Sequence, residues 1–212
     1  MRIGVLALQG DFHKHGEHLK RLGLDPVYVR TRDDVLSIDG LIIPGGESTT
    51  IGKLLVDFGL DASLKERLDQ GLPVFGTCAG MILMAKEIVG REQFKLNLLD
   101  ISVERNAYGR QIDSFEAEFE HSLPLQGPLH GVFIRAPRIA KVGPEVKVLA
   151  SFEDCPVLVQ QEKYLAASFH PELTENLELH RYFLSLVERA KEEGPAVPTL
   201  NDADRGRKTG AP

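Results

Sequence analysis

The sequence predicts a three-layer αβα domain whose central sheet is mainly parallel and doubly wound, with antiparallel additions. Short apolar runs alternate with helix-like segments over the first 90 residues, which is typical of βαβ units. The first run, residues 3–8, is apolar without alternation, which indicates a strand buried on both faces. After residue 90, strand-like segments follow one another without a helix of useful length, which predicts the antiparallel part.

The first half of the chain predicts four strands and four helices. The strands cover residues 3–8, 26–29, 41–43 and 73–75. The first helix is capped by Asp11 and ends near Gly23, because aspartate favours helix N-termini and glycine favours C-termini. The other helices cover residues 48–55, 60–68 and 79–88.

The second half predicts six strands and a closing helix. The strands cover residues 98–104, 114–119, 131–134, 146–152, 157–161 and 164–169. The helix covers residues 174–190 with one apolar side. Residues 191–212 are rich in Gly, Pro and charge and nearly lack large apolar side chains, which predicts a disordered tail behind one domain of residues 1–190.

Composition excludes several classes of protein. The chain has 212 residues and a formal net charge of -6, which argues against a nucleic-acid binder that works by bulk charge. The N-terminal apolar run is too short for a signal sequence or a spanning helix, so no membrane association is expected. Two cysteines in a chain of this length do not form a secreted disulfide framework, and we expect a reducing cytoplasm.

The segment Gly76-Thr77-Cys78-Ala79-Gly80 is the sharpest local motif. It joins a predicted strand to a predicted helix, as in a G-x-nucleophile-x-G elbow with cysteine as the nucleophile. Such a turn strains the backbone, and glycines on both sides relieve the crowding. The N–H of Ala79 is then positioned to donate to an oxyanion. The alternative is a small buried cysteine with only a packing role.

A base and its orienting group are predicted in His170-Pro171-Glu172, which follows a predicted strand. Parallel strands deliver such residues at their carboxyl ends, where α/β sites form. Residues two apart in an extended segment point the same way, so Glu172 can accept a hydrogen bond from the His170 imidazole. The alternative is a surface turn with a solvated histidine.

Paired glycines follow another predicted strand in Pro44-Gly45-Gly46-Glu47-Ser48-Thr49-Thr50. They allow the backbone N–H of Gly46 to serve as a second oxyanion donor beside that of Ala79. A phosphate-binding loop is excluded, because no G-x-x-x-x-G-K-[ST] pattern is present. A plain strand-to-helix connection is the alternative.

Six segments together resemble the class I, triad-type glutamine amidotransferases, and within them the glutaminase subunits of pyridoxal 5'-phosphate synthase. They are residues 7–12 (ALQGDF), 44–50 (PGGESTT), 76–81 (GTCAGM), 105–111 (RNAYGRQ), 133–137 (FIRAP) and 169–173 (FHPEL). The cysteine elbow and the H-P-E segment are shared with many amidotransferases, whereas the L-Q-G-D, P-G-G-E-S-T-T and R-N-x-x-G-R-Q segments are more specific. The resemblance spans residues 1–190 and implies a flavodoxin-like fold.

The resemblance implies glutamine hydrolysis through a glutamyl thioester. Cys78 would attack the side-chain amide of L-glutamine, His170 would transfer protons and Glu172 would hold the imidazole. The glutamine pocket would be lined by Gly46, Glu47, Ser48, Arg105, Ile134 and Arg135. Arg105 is the candidate for the substrate carboxylate and Glu47 for the substrate ammonium group.

The resemblance also implies a partner, a (β/α)8-barrel synthase in a large hetero-oligomer that receives the ammonia. No cofactor is expected in this chain, since pyridoxal 5'-phosphate is the product of the partner. The family's glutaminase has low activity alone, and a Gly45–Gly46 peptide that flips on docking would explain this.

Several alternatives remain open from the sequence. The chain could be another cysteine hydrolase of the same fold, such as a glutamyl hydrolase or a peptidase, or an inactive scaffold. His13, His15 and His18 lie close together on the first predicted helix, but no cysteine or carboxylate set completes a metal site. A solvated polar face or a partner contact is therefore expected for these histidines. Cys155 has no activating neighbour in the sequence and is interpreted as unreactive.

Overall fold

The computed structural model describes residues 1–105 and 114–194, and within these ranges the chain forms twelve strands, six α-helices and one 3-10 helix. The strands are β1 (Ile3–Leu6), β2 (Val27–Val29), β3 (Gly40–Ile43), β4 (Val74–Thr77), β5 (Ala85–Ile88), β6 (Leu99–Glu104), β7 (Ser114–Phe119), β8 (Leu129–Ile134), β9 (Arg138–Val142), β10 (Lys147–Phe152), β11 (Cys155–Gln161) and β12 (Tyr164–Ala167). The helices are α1 (Phe12–Arg21), α2 (Arg32–Leu36), α3 (Ser48–Asp57), α4 (Leu60–Asp69), α5 (Ala79–Met84), the 3-10 helix (Pro171–Leu173) and α6 (Glu178–Glu193).

The central sheet has seven strands in the order β10-β11-β12-β4-β3-β1-β2. The five strands from β12 to β2 pair in parallel, whereas β11 is antiparallel to both β12 and β10. The order places β4 between β12 and β3, and β1 beyond β3. The predicted fold class, a mainly parallel sheet with antiparallel additions, is therefore confirmed.

Alternate residues of the central strands pack on opposite faces of the sheet, which produces the three layers. In β3, Leu41 and Ile43 join the apolar cluster that includes Leu55 of α3 and Leu64 of α4. Ile42, between them, joins the opposite cluster, which includes Leu19 of α1 and Phe183 of α6. Both faces of the sheet are thus covered by helices, as the apolar strand sequences predicted.

Two smaller sheets lie outside the central one. One contains β5, β6 and β9, and the other is the antiparallel pair β7–β8. An isolated bridge joins Val132 of β8 to His170, and the backbone N–H of His170 donates to the carbonyl of Val132 over 2.8 Å. The smaller β7–β8 sheet is therefore fastened to the segment that follows β12.

Two predicted helices differ from the structure. The predicted helix over residues 79–88 is wrong in its second half, because Ala85–Ile88 form a strand that pairs in parallel with β6. The last helix begins at Glu178 rather than at residue 174. The side chain of Asn176 accepts a hydrogen bond from the N–H of Glu178 at 2.7 Å, which forms an Asx turn directly before the helix.

Three elements of the described chain were not predicted: α2, β9 and the 3-10 helix Pro171–Leu173, where an extended segment was expected. Helix α2 begins after Thr31, whose side chain forms a capping box with Asp34. Strand β9 pairs antiparallel with β6, and its sequence has little apolar alternation to reveal it. Helix α6 continues to Glu193, and the remainder of the predicted tail from residue 195 lies outside the described residues.

In the part of the chain that the structure describes, no helix combines the length and the apolar character needed to span a membrane.

Candidate active site

The candidate site lies at the carboxyl ends of three adjacent parallel strands. Strand β4 is followed by Cys78, β12 by the segment that contains His170, and β3 by the Gly45–Gly46 loop. In the registers, Thr77 of β4 pairs with Ala167 of β12, and Ile43 of β3 pairs with Gly76 of β4. Because the strands run in parallel, segments distant in the sequence meet at one edge of the sheet.

Cys78 occupies a strained turn between β4 and α5. Its φ of 49° and ψ of -103° are unusual for a residue with a side chain, which confirms the predicted strain. A methyl group at Gly76 would approach the Gly80 carbonyl carbon at 2.7 Å, and one at Gly80 would overlap the Ile43 carbonyl. A side chain at either position would collide with neighbouring backbone atoms, so both positions require glycine. Ala79 opens α5, so its N–H has no acceptor within the helix.

His170 and Glu172 form a buried pair beside the cysteine. Nδ1 of His170 lies 2.8 Å from Oε1 of Glu172, and the Cys78 thiol lies close enough to the imidazole to affect its pKa. Burial opposes a charged imidazole, but the hydrogen bonds and charges of Cys78 and Glu172 outweigh it and raise the pKa of His170. Nδ1 therefore carries a proton toward Glu172, and the raised pKa favours transfer of the Cys78 proton to Nε2.

The second oxygen of Glu172 faces another histidine. Oε2 has no hydrogen bond of ordinary geometry among the described residues, and Nε2 of His15 lies 3.4 Å from it. Burial opposes the carboxylate, but the charge of the nearby His15 and the hydrogen bond and charge of His170 outweigh it and lower the pKa of Glu172. Glu172 is thus ionised between two imidazoles.

The predicted solvated face for His15 and His18 is wrong, because both side chains are buried. They lie against His180 of α6, which is itself fully buried, whereas His13 is exposed as expected. The sequence did contain a signal, since positions 15, 18, 19 and 22 form one stripe at helical spacing and two of them are leucines. His180 was missed because nothing in the sequence of α6 links it to α1.

The Gly45–Gly46 loop is held by the turn between β1 and α1. The N–H of Asp11 donates to the Gly45 carbonyl over 3.3 Å, and the side chain of Gln9 accepts from the N–H of Glu47 at 2.7 Å. A methyl group at Gly45 would overlap the His170 ring. The loop therefore lies directly against the imidazole.

Three of the predicted pocket residues lie in one polar network. Nη2 of Arg105 lies 2.6 Å from Oε1 of Glu47, and Nη1 of Arg105 donates to Gln93 over 3.2 Å. The Gln93 amide in turn donates to the Ser48 hydroxyl over 3.1 Å. Burial opposes the Glu47 carboxylate, but the Thr49 hydrogen bond and the Arg105 charge lower its pKa. Gln93 was not identified from the sequence. The motif that contains Arg105 continues through residues 106–111, which lie outside the described residues.

The end of β8 brings Ile134 to the cysteine. Sγ of Cys78 lies 4.0 Å from the carbonyl oxygen of Ile134, and the Ile134 side chain is exposed. Arg135 follows it with a φ of 43° and is also exposed. The strained backbone at Arg135 turns the chain away from β8 directly beside the nucleophile.

Within residues 1–105 and 114–194, no group of three or more His, Cys, Asp or Glu side chains is arranged to hold a metal ion. Cys78 and Cys155 are both free thiols.

Comparisons with known proteins identify similar chains over most of this length. The profile of the SNO glutamine amidotransferase family matches residues 5–189. The chain is 54% identical over 187 residues to "Pyridoxal 5'-phosphate synthase subunit PdxT" of Carboxydothermus hydrogenoformans, which covers 88% of this chain and 98% of that protein. It is 56% identical to a protein of the same name from Thermus thermophilus, with coverages of 87% and 97%. A solved structure described as "Crystal structure of glutamine amidotransferase" matches with a TM-score of 0.84 and 55% identity, covering 88% of this chain and 98% of that chain.

Proposed function

The chain belongs to the SNO glutamine amidotransferase family, and from this premise we propose that Cys78, His170 and Glu172 carry out its glutamine hydrolysis. Its similarity to the PdxT subunits over nearly their whole length makes it a glutaminase that supplies ammonia for pyridoxal 5'-phosphate synthesis and works with a synthase partner.

The observation that carries the catalytic proposal is the contact chain from the nucleophile to the carboxylate. The Cys78 thiol lies close enough to the His170 imidazole to raise its pKa, and Nδ1 of that imidazole lies 2.8 Å from Oε1 of Glu172. A nucleophile joined to a base, and a base joined to an orienting carboxylate, is the arrangement that covalent hydrolysis requires. All three side chains are largely buried, which strengthens their electrostatic coupling.

The reaction proceeds in two halves. Sγ of Cys78 gives its proton to Nε2 of His170 and attacks the amide carbon of glutamine. The carbon–nitrogen bond then breaks, His170 returns the proton to the leaving nitrogen, and ammonia departs from a glutamyl thioester. Water, deprotonated by His170, attacks the thioester carbon and releases glutamate and the Cys78 thiol.

Two backbone groups are proposed to stabilise the oxyanion that each half generates. The N–H of Ala79 lies at the free start of α5, next to the sulfur. The N–H of Gly46 belongs to the loop that lies against the His170 ring. The hypothesis that this loop flips when the partner docks remains a prediction, and such a flip would break the Asp11–Gly45 hydrogen bond.

The ends of free glutamine need charged partners, and the proposal assigns them to the polar network beside the loop. Arg105 would bind the α-carboxylate and Glu47 the α-ammonium group, while Ser48, Ile134 and Arg135 complete the pocket. Arg105 and Glu47 are paired with each other in the structure. Binding of glutamine would therefore exchange one internal ion pair for two with the substrate.

The remaining assignments follow from the same proposal. The partner is the (β/α)8-barrel synthase subunit in a large hetero-oligomer, and the working compartment is the cytoplasm, where the Cys78 thiol stays reduced. The chain itself uses no cofactor or metal, because the nucleophile, the base and the oxyanion donors are all its own groups.

The test is glutamine-dependent pyridoxal 5'-phosphate formation by the full chain in complex with its synthase, comparing the unaltered protein with Cys78→Ala. We expect the variant to lose glutamine hydrolysis by at least about a thousandfold while the complex still uses free ammonia. Cys155→Ala is the matched control and should retain full activity. Retained hydrolysis in Cys78→Ala would refute the proposed nucleophile, and cleavage of peptides instead of glutamine would favour a peptidase.

A further inference from the structure

A row of three buried histidines ends at the proposed catalytic carboxylate. Nδ1 of His15 lies 2.9 Å from Nε2 of His180, and Nδ1 of His180 lies 3.2 Å from Nδ1 of His18. Nε2 of His18 lies 3.0 Å from the backbone carbonyl oxygen of Thr174. At the other end, Nε2 of His15 faces Oε2 of Glu172 at 3.4 Å and the Thr77 hydroxyl at 3.1 Å. The proposed hydrolysis gives this row no role.

The carbonyl of Thr174 fixes the direction of every hydrogen bond in the row. A carbonyl can only accept, so Nε2 of His18 carries a proton. Burial lowers the pKa of His18 and that of His180, so both rings are neutral and each has one N–H. Nδ1 of His18 therefore accepts from His180, and Nε2 of His180 accepts from Nδ1 of His15.

This order leaves Nε2 of His15 as the free end of the row. If it lacked a proton, it could accept from the Thr77 hydroxyl, but its lone pair would also face the buried Oε2 of Glu172, which would then have no donor. If it carries a proton, it can donate toward Oε2 of Glu172, which otherwise lacks a hydrogen bond of ordinary geometry among the described residues. The titratable groups packed around His15 are His18 on its own helix, His180 on α6 and Glu172 after β12, with His170 behind that carboxylate.

We propose that His15 is a positioning residue for the glutaminase reaction: it is protonated on both ring nitrogens and holds the Glu172 carboxylate from the side opposite His170. His180 accepts a hydrogen bond from Nδ1–H of His15, and His18 accepts one from His180. These two bonds keep His15 in the required orientation. Besides its contact with the Thr77 hydroxyl, His15 has no hydrogen bond or ion pair with Cys78 or with the described residues of the proposed glutamine pocket, so its proposed effect on the reaction passes through Glu172.

This role rests on the proposed function and has a specific kinetic signature. Without His15, the carboxylate loses a donor and a positive neighbour, so the pKa of Glu172 rises. A larger fraction of Glu172 is then protonated at low pH, and the acid limb of the kcat profile moves to higher pH. The KM for glutamine stays the same, because the pocket residues are untouched.

The kinetic experiment compares three variants of the full chain in its complex with the synthase. His15→Leu should lower kcat at least about tenfold, leave KM within about twofold and move the acid limb upward. His15→Gln, whose amide can still donate toward Glu172, should recover part of the kcat. His13→Leu, an exposed histidine of the same helix, is the matched control and should behave as the unaltered protein. A His15→Leu enzyme with the kcat of the control, or with a lowered kcat but an unmoved acid limb, would overturn the proposal.

A second measurement uses the unaltered chain, so it requires neither a folded variant nor enzymatic activity. Nitrogen-15 NMR of the histidine rings in the unaltered chain distinguishes protonated from unprotonated ring nitrogens. We expect two protonated nitrogens in His15 at neutral pH and one each in His18 and His180. An unprotonated Nε2 in His15 would refute the proposal. If the complex released no ammonia from glutamine, the proposed function would fail, yet the NMR spectrum would still decide where the His15 proton lies.

Discussion

The backbone N–H of Cys78 donates to the carbonyl oxygen of Ala167 over 2.8 Å. This bond continues the parallel ladder of β4 and β12 one residue beyond the end of β4, so the nucleophile is fixed to the strand that leads to the base. His170 follows Ala167 by three residues and is in turn bonded to β8 through Val132. The spacing of the sulfur and the imidazole is therefore set by backbone hydrogen bonds rather than by flexible side chains.

Replacing Glu172 by glutamine should lower kcat about a hundredfold to ten-thousandfold. The amide keeps the shape of the carboxylate, but it removes the negative charge that raises the pKa of His170 and holds its tautomer. Ammonia release by the complex measures the effect. Glu175→Gln, an exposed neighbour, is the control. Equal kcat values in the two variants would exclude Glu172 as the orienting group.

Replacing Arg105 by glutamine should raise the KM for glutamine about tenfold, equivalent to about 1.4 kcal/mol of binding free energy, with kcat changed less than about twofold. The reason is the loss of the cation proposed to bind the substrate carboxylate. Arg91 is an exposed arginine two residues before Gln93, and Arg91→Gln serves as the control. If the KM stayed unchanged in Arg105→Gln, the carboxylate would need another partner.

Replacing Gly10 by alanine should both destabilise the chain and lower kcat. Gly10 has a φ of 98°, and an added methyl group would overlap the Gly45 carbonyl, which would displace the proposed oxyanion loop. Gly23→Ala is the matched control, because Gly23 has a φ of 82° with no atom within 4 Å of an added methyl group. Both variants should lose about 1–2 kcal/mol of stability from the left-handed backbone. Gly10→Ala alone should lose further stability and should also lose activity. Thermal unfolding measures the first effect and ammonia release the second.

The stability of the chain should fall as the pH decreases from 7.5 to 5.5, in part because of His180 and His18. Burial lowers the pKa of both groups, so the unfolded state binds more protons than the folded state once the pH falls below about 6.5. His170, whose pKa is raised, acts in the opposite sense, and its stabilisation is lost as the pH rises through its folded pKa.

Comparison with His180→Gln isolates the contribution of His180, whose pKa is lowered, because His170 is present in both proteins. The thermal midpoint of the unaltered chain should fall more over this pH range than that of the variant, by about 2–4 °C for each kcal/mol of the difference. An equal or steeper fall in His180→Gln would contradict the neutral state of His180.

The sequence predicted the fold class and most of the strands because both faces of the central strands are buried, which leaves near-continuous apolar runs. It failed at Ala85–Ile88, where a short segment with two exposed charged residues could be helix or strand, and only pairing with β6 decides. The left-handed backbone at Cys78 was predictable because the flanking glycines signal it. Gln93 was not predictable, since its contacts with Arg105 and Ser48 join segments with no shared pattern.

The amino-acid sequence by itself determined the local chemistry: an elbow with a cysteine, a histidine with a glutamate two residues later, and a loop of paired glycines. These follow from short-range backbone geometry, which neighbouring residues set. Only the tertiary structure decided that α1 and α6 bury His15, His18 and His180 behind Glu172, since their contacts span more than 150 residues of chain. Such contacts depend on how two helices pack on one face of the sheet, and no local pattern encodes that packing.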